Sequence, residues 1–173
     1  MPNHLKLVLI SLFGLLTCSV SSGQKRIKTS LTVEHRQIKD TQVSIVPPPN
    51  FTELANLMGY ADNETGAGIV VEQSDKSFQS VKEYLSDNYF RKKGYRIIEK
   101  KQFKINRMPA AWYELGEEFM DRRVVKYILI TGNSRGYAML EALCPLEHPL
   151  AAFALKRSLF SVYYAPNTGP DKR

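Results

Sequence analysis

Four strand-like segments follow one another through the second half of the chain and limit the folds that it can adopt. They cover residues 95–105, 110–119, 123–131 and 137–143. The stretches between them, at 106–109, 120–122 and 132–136, are short and are typical of turns. Successive strands that are joined by short turns pair as antiparallel hairpins. The sequence therefore predicts an antiparallel meander as the centre of the fold.

Helices and shorter strands are predicted around this meander. A helix over 78–93 has Ser77 as its cap and Gly94 as its stop, and a last helix starts at Pro149 and runs to about residue 163. Alternation predicts a strand at 27–33, and further short strands are predicted at 42–46 and 68–73. One helical turn is predicted within 51–58. The apolar face of the first helix is predicted to contain Phe78, Val81, Tyr84, Leu85 and Tyr89.

This order of elements predicts the fold class. Mainly antiparallel strands with segregated helices are typical of α+β proteins. Covering one sheet with the two long helices is the simplest way to bury both of their apolar stripes.

The N-terminus has the parts of a secretory signal peptide. A weakly basic region with His4 and Lys6 precedes an apolar run over residues 7–20, and small residues follow up to Gly23. A membrane-spanning helix needs about 20 apolar residues, and this run is shorter. Cleavage after Gly23 is therefore predicted, so that residues 1–23 are a signal peptide and the protein is exported, either periplasmic or secreted.

Cys18 leaves a second outcome open. The stretch from Leu15 to Cys18 resembles the bacterial lipobox, in which the cysteine is acylated and becomes the first residue, although Thr17 departs from the residues usual there. Lipidation at Cys18 would anchor the protein at the cell envelope, because several acyl chains hold a protein where a single chain does not. In either case we expect an unidentified protein partner in the envelope.

Cys144 is the cysteine left for the folded domain, so no internal disulfide is predicted. With Glu147 and His148 it offers a thiol, a carboxylate and an imidazole, and a cysteine-dependent hydrolase that uses Cys144 and His148 is one hypothesis. Pro145 disfavours helical backbone at Cys144, which speaks against a shared helix face. The simpler interpretation is a buried core cysteine beside a histidine at a helix start.

A basic run between Arg91 and Arg107 is the strongest charge feature of a chain with net charge +7. Tyr95 and Phe103 are interleaved with the cations. Such a surface can bind an anionic lipid or another polyanion, whereas export removes most nucleic acid from reach, so no nucleic-acid partner is expected. The alternative interpretation is a solvated helix end and strand face. The candidate contact residues are Arg91, Lys92, Lys93, Arg96, Lys100, Lys101, Lys104 and Arg107.

Metal-ligand patterns are weak. His4, His35 and His148 lie far apart and do not have the spacing of a structural zinc site. The loop at 62–64 has polar residues but lacks the alternating oxygen ligands of a known calcium loop. The sequence therefore predicts no metal and no cofactor.

Catalytic patterns are weak as well. Glu114, Glu117 and Glu118 could supply paired carboxylates for acid–base chemistry, but solvated strand residues are the more ordinary interpretation. The sequence has no phosphate-cradling glycine motif and no nucleophile elbow. We therefore predict no catalytic residue and expect that the protein is not an enzyme.

The element order and several short motifs resemble the PsbP-like family, which includes the DcrB-like proteins. The resemblance covers residues 42–162 and implies an antiparallel sheet between helices, an α/β/α sandwich, in a small exported accessory protein. It implies no reaction and no ligand residues. The motifs are Val43 to Phe51 (VSIVPPPNF), Met58-Gly59-Tyr60, Ile105 to Ala110 (INRMPA), Lys126-Tyr127 and Ser158-Leu159.

The resulting domain organisation is a signal peptide at 1–23, an extension at 24–41 with a strand, a PsbP-like domain at 42–163 and a disordered tail at 164–173. The favoured function is that of an exported bacterial binding or accessory protein without enzymatic activity. The alternatives are a lipid-anchored or anionic-surface-binding module that uses the basic run at 91–107, and the cysteine-dependent hydrolase.

Overall fold

A computed structural model describes residues 25–119 and 122–165. The predicted signal peptide, with Cys18, lies outside the described residues, and so do residues 166–173 of the predicted tail. The described residues form a large sheet of eight strands, a small sheet of three strands, and three helices.

The elements alternate in an order dominated by strands. The helices are α1 (Phe78–Tyr84), α2 (Asp87–Lys92) and α3 (Pro149–Phe160). The strands are β1 (Arg26–Ile27), β2 (Arg36–Gln37), β3 (Val43–Ile45), β4 (Thr52–Glu53), β5 (Gly59–Asp62), β6 (Ala67–Ser74), β7 (Arg96–Ile105), β8 (Met108–Phe119), β9 (Arg122–Asn133), β10 (Gly136–Pro145) and β11 (Tyr163–Tyr164).

The large sheet has the strand order β1-β7-β8-β9-β10-β6-β5-β4, and the small sheet has the order β11-β3-β2. Strand β1 pairs with β7 in parallel, and the pairs along β7, β8, β9 and β10 are antiparallel. The predicted meander and the α+β class are therefore confirmed. The first turn of the meander, between β7 and β8, uses Asn106 and Arg107. Their φ angles of 48° and 71° are those that a tight two-residue hairpin turn requires.

Helices lie on both faces of the large sheet, which confirms the layered sandwich. On one face, α3 and the small sheet cover a core that includes Leu140 and Leu155. On the other face, α1 and α2 cover a second core that includes Phe90, Leu115 and Ile130. Successive side chains of a strand point to opposite faces, so the central strands contribute to both cores.

The N-terminal segment is built into both sheets. Beyond β1, the chain leaves the sheet edge at Thr29, whose amide donates to Asn106 Oδ1 (2.9 Å). A turn then follows, in which the His35 amide donates to the Thr32 carbonyl (3.1 Å). The predicted strand at 27–33 is therefore wrong beyond its first residue, and Val33 is 91% exposed.

The predicted helix over 78–93 is broken into α1 and α2. Ser77 caps α1 as predicted, but Ser86 caps a new helix, because its Oγ accepts the Tyr89 amide (3.3 Å). Asp87 follows in the first turn of α2, where a carboxylate favours a helix start. The break changes which side chains face the sheet. Tyr84 is 63% exposed, whereas Phe90 is fully buried.

Residues 52–62 form a hairpin where a helical turn was predicted within 51–58. Thr52 pairs with Ala61 and Glu53 pairs with Tyr60. Gly59 permits the neighbouring strand to approach closely, because a Cβ there would lie 2.0 Å from the carbonyl oxygen of Ile69. Leu57, which a helix could have buried, is exposed at the tip of the hairpin.

The C-terminal helix begins at Pro149, as predicted, but ends at Phe160 rather than near residue 163. Tyr163 and Tyr164 then pair with β3 in the small sheet. The ring of Tyr164 is buried. Tyr164 therefore belongs to the fold and not to the disordered tail predicted for 164–173.

Candidate functional site

Helices α1 and α2 leave part of their sheet face uncovered over β10, β6 and β5. Val70 on β6 is 37% exposed there, whereas Ile69 and Val71 point to the opposite face of the sheet and are buried in its core. Two cavities of about 550 and 470 Å³ lie over this region and share Glu141. We call this region the open sheet face. It contains Ala61, Gly68, Val70, Glu72, Tyr84, Tyr89, Tyr95, Lys126, Tyr137 and Glu141.

A mostly buried ion pair lies at the centre of the open sheet face. Lys126 Nζ on β9 is 2.5 Å from a carboxylate oxygen of Glu141 on β10. The same Nζ is 5.5 Å from the centroid of the Tyr95 ring, within cation–π range. Burial lowers the pKa of Lys126, but the hydrogen bond and charge of Glu141 outweigh burial, so the pKa is raised overall. Lys126 is therefore a fixed cation.

Tyrosine rings border this ion pair. The rings of Tyr84 and Tyr89 are 4.7 Å apart between centroids, at an angle of 47°. Tyr137 donates its hydroxyl to Glu72 Oε1 (2.7 Å). Burial and this hydrogen bond raise the pKa of Tyr137 to about 12, and burial and a hydrogen bond with Tyr84 raise the pKa of Tyr89. Tyr89 and Tyr137 are therefore protonated at neutral pH.

This arrangement suits binding rather than proton transfer. A general acid or base works best when its pKa is near the operating pH, whereas the shifts at Lys126, Tyr89 and Tyr137 lead away from neutrality. The face offers ring surfaces, hydroxyl groups and charges that already neutralise each other. Rigid rings with one polar end are common in recognition surfaces.

Sequence reasoning did not identify the open sheet face as a site, although a signal was present. Lys126 interrupts the apolar stretch 124–130, and Glu141 interrupts the apolar stretch 137–144. Charged residues are almost never fully buried unless they are paired. Two opposite charges within neighbouring apolar strands therefore indicate a buried pair, and the antiparallel hairpin brings them together.

Cys144 does not have the setting of a catalytic thiol. Its side chain is fully buried, and its Sγ lies 3.4 Å from the Pro145 carbonyl and 3.5 Å from the His148 carbonyl. Burial, with the nearby charges of Glu147 and Asp62, raises the pKa of Cys144 to about 11. A nucleophilic cysteine needs a lowered pKa, so the structure disfavours the hydrolase hypothesis.

The basic run does not form one surface. Lys100 on β7 pairs with Asp87 of α2 (2.8 Å), whereas Lys101 lies on the opposite sheet face and pairs with Glu99 (2.6 Å). Residues 91–93 are exposed together at the end of α2. Contact of the basic run with an anionic surface stays a prediction. Its neighbouring cations share one surface at this end of α2.

Alternation along β8 places Glu117 on the opposite face from Glu114, whereas Glu118 is on the same face as Glu114. Glu114 accepts a hydrogen bond from Lys156 Nζ on α3 (2.8 Å). That ammonium group lies 4.9 Å from the centroid of the Tyr127 ring. Glu117 lies on the other face, where it borders the open sheet face. The structure therefore does not bring Glu114 and Glu117 together.

The candidate metal ligands are used in other ways. Within the described residues, no three histidine, cysteine, aspartate or glutamate side chains cluster as a metal site would require. Both carboxylate oxygens of Asp62 accept hydrogen bonds within their own turn, from the Glu64 amide and the Thr65 hydroxyl, and these bonds lower the pKa of Asp62. His35 Nε2 lies 2.9 Å from the Ser161 carbonyl.

Among residues 25–119 and 122–165, no helix has the length and apolarity of a membrane span.

Comparison with known proteins gives structural neighbours only. No protein-family model matches the sequence, and no curated protein matches it significantly. The structure of LpqN, involved in cell envelope biogenesis of Mycobacterium tuberculosis, is similar with a TM-score of 0.53 at 12% identity. That likeness covers 72% of this chain and 83% of LpqN.

Two further structures have the same arrangement. PA94 of Pseudomonas aeruginosa, a protein of unknown function described as a candidate regulator, has a TM-score of 0.50 at 11% identity over 75% of this chain and 87% of PA94. The PsbP protein of the cyanobacterium Synechocystis has a TM-score of 0.50 at 8% identity over 76% of this chain and 91% of that protein. Identities this low show the fold alone, and the described chain has the PsbP-like fold.

Proposed function

We propose that this chain is an exported accessory protein of the bacterial cell envelope that binds a protein partner through the open sheet face and catalyses no reaction. The observation that carries the proposal is the Lys126–Glu141 pair at the centre of a sheet face that no helix of the described chain covers. Buried ion pairs contribute little net stability, so a role in recognition accounts for the pair better than a role in folding.

The composition of the face supports a protein partner. Tyrosine is enriched at protein interfaces, because its ring contributes apolar area and its hydroxyl contributes a hydrogen bond. Tyr84 and Val70 are exposed beside the ion pair. A partner that covers them would remove apolar area from water and could extend the hydrogen bonding of Tyr137 and Glu72.

Export is proposed from the N-terminal sequence, and LpqN, described as involved in cell envelope biogenesis, has a similar fold. The test is the intact mass of the protein isolated with the membranes of its native host. A mass that begins at Gln24 without an adduct fits a free exported protein. A mass that begins at Cys18 with acyl chains fits a lipoprotein. A mass that retains residues 1–17 would contradict both forms of export.

Site-specific photo-crosslinking in the native host tests the binding surface. A photoreactive residue at Val70 and, separately, at Tyr84 should crosslink to the same envelope protein. Ile98 is the matched control, because it is a comparably exposed apolar strand residue near the other end of the sheet. Equal crosslinking from position 98, or none from positions 70 and 84, would contradict the proposed surface.

Enzymatic activity is tested separately with a panel of esters, phosphates and glycosides. We expect no turnover above that of a heat-denatured sample. Turnover that Cys144→Ala abolishes would overturn the non-enzymatic proposal and revive the hydrolase hypothesis.

A further inference from the structure

A second cavity lies on the α3 side of the large sheet, away from the open sheet face. It has a volume of about 680 Å³ and runs between the outward side of α3 and the three prolines at 47–49. This volume is within the range of small-molecule sites. We call it the proline groove. Because it lies on the other side of the sheet, binding there would be independent of the proposed function of the open sheet face.

Ser158, one of the residues that line the proline groove, has a buried hydroxyl without a partner among the described residues. The Ser158 side chain on α3 is 2% exposed, and its Oγ has no hydrogen-bond partner within the described chain. The hydroxyl of Ser161 in the same groove is fully used, since it donates to the Ser158 carbonyl (2.6 Å) and accepts the Val46 amide (2.8 Å). Buried polar groups are nearly always hydrogen-bonded, so the Ser158 hydroxyl is a group that a ligand atom would satisfy.

The charges at the proline groove favour an anion. Arg157 is exposed beside Ser158 and forms no ion pair among the described residues, and Arg36 lines the same cavity. Arg36 Nη1 donates to the carbonyls of Val33 (2.7 Å) and His35 (3.2 Å), which holds the guanidinium in place. Among the described residues, Glu34 is the one carboxylate that lines the groove. Two guanidinium groups against one carboxylate leave a positive balance, and guanidinium geometry matches a carboxylate.

The remaining walls of the proline groove are apolar. Phe153 on α3 is 62% exposed, although a phenylalanine in a helix of a soluble domain is usually buried. The prolines opposite it form a stiff wall, because their φ angles are fixed. An apolar body between the Phe153 ring and the prolines would remove both surfaces from water.

We propose that the proline groove binds an organic carboxylate with an apolar body. The carboxylate contacts Arg157 and the Ser158 hydroxyl, and the apolar body lies against Phe153 and the prolines. A free aromatic acid and the C-terminal carboxylate of an apolar chain share this chemistry.

Titration of the purified protein with matched probes tests the proposal, with calorimetry for affinity and amide NMR shifts for location. The probes are phenylacetate, N-acetyl-phenylalanine and, as the uncharged control, N-acetyl-phenylalaninamide. We expect at least one acid to bind and to shift the amides of α3, and the amide probe to bind about tenfold more weakly or not at all. Binding of phenylacetate alone identifies a free acid as the source, and binding of N-acetyl-phenylalanine alone identifies a chain end.

Two variants separate ligand contact from structure. Arg157→Gln should weaken acid binding by about tenfold, whereas Lys82→Gln, the same loss of charge in α1 on the other side of the sheet, should leave it unchanged. Ser158→Ala should weaken acid binding about fivefold. It should also leave the melting temperature unchanged or raise it, because an unpaired buried hydroxyl is removed.

Three results would overturn the proposal. The first is that neither acid binds or shifts the α3 amides. The second is that the amide probe binds as tightly as its acid, or that Lys82→Gln weakens binding as much as Arg157→Gln. The third is a Ser158→Ala variant that melts lower and binds the acid normally, since the hydroxyl would then serve the fold.

Discussion

The thiol of Cys144 lies at the end of β10 with no exposed surface, and its surroundings favour the protonated form. Burial and the charges of Glu147 and Asp62 raise its pKa to about 11. The thiolate is the reactive form, so both access and ionisation are restricted. We expect iodoacetamide at pH 8 to modify the native protein at least about a hundredfold more slowly than the urea-unfolded protein.

The control for this prediction is the unfolded protein itself, in which the same thiol is exposed and has its ordinary pKa. Mass spectrometry of timed samples gives both rates. Native and unfolded rates that agree within a few-fold would show an accessible, ionisable thiol and would contradict the burial of Cys144.

At the scale of elements, Gly59 on β5 has a steric role that Gly68 on β6 does not have. A Cβ at Gly59 would lie 2.0 Å from the Ile69 carbonyl oxygen, whereas a Cβ at Gly68 would make an ordinary contact of 3.5 Å with the Tyr60 carbonyl oxygen. Gly59→Ala should lower the free energy of unfolding by roughly 3 kcal/mol or more, because backbone must move. Gly68→Ala should change it by less than about 1 kcal/mol.

Urea unfolding of both glycine variants, followed by circular dichroism, checks this difference. The comparison is matched, because both substitutions add one methyl group to paired neighbouring strands. Equal losses for the two variants would mean that glycine content in the hairpin matters and that the close approach at Gly59 does not.

The boundary between α1 and α2 depends on the Ser86 hydroxyl, which accepts the Tyr89 amide (3.3 Å). Ser86→Ala should cost about 1 kcal/mol in the free energy of unfolding, because the first turn of α2 loses its cap. Asn88→Ala, an exposed change within the same helix, should be neutral or slightly stabilising, since alanine favours helix. A Ser86→Ala variant as stable as the wild type would show that packing of Phe90 alone fixes the break.

Local patterns predicted the elements whose neighbours lie close in the chain. The meander and the start of α3 at Pro149 follow from hairpin turns and capping rules, and both are found. The strand at 27–33 was wrong because Asn106, which binds the chain where it leaves the sheet, is distant in the sequence. The single helix at 78–93 was wrong although a local signal was present, because Ser86 followed by Asp87 is a helix start. The open sheet face depends on where α1 and α2 lie over the sheet, which no local pattern specifies.

For the whole molecule, the layered architecture buries phenols on both faces of one sheet. Burial raises the pKa of Tyr60, Tyr113 and Tyr164, and the same cause acts on Tyr137 and Cys144. Each of these groups is neutral below its pKa, and each is a stronger acid in the unfolded chain than in the folded protein. Their contribution to stability is therefore complete below about pH 9 and is lost as pH rises through the folded values near 11 and 12.

We therefore expect the free energy of unfolding to fall between pH 9 and pH 12. A tenfold change in an acid dissociation constant corresponds to about 1.4 kcal/mol. The ionisation of Cys144 and that of Tyr137 should therefore each lower the free energy of unfolding by on the order of 2 kcal/mol.

The Tyr137→Phe variant isolates the contribution of one phenol. At pH 8 the variant should be less stable by about 1 kcal/mol, because the hydrogen bond to Glu72 is lost. At pH 11.5 the difference should shrink or reverse, because the variant has no phenol to ionise on unfolding. The measurement is the urea unfolding midpoint of variant and wild type between pH 8 and pH 12. A constant difference between the two proteins, or a wild-type stability that does not fall above pH 10, would contradict the prediction. Either result would show that these phenols ionise as freely in the folded protein as in the unfolded chain.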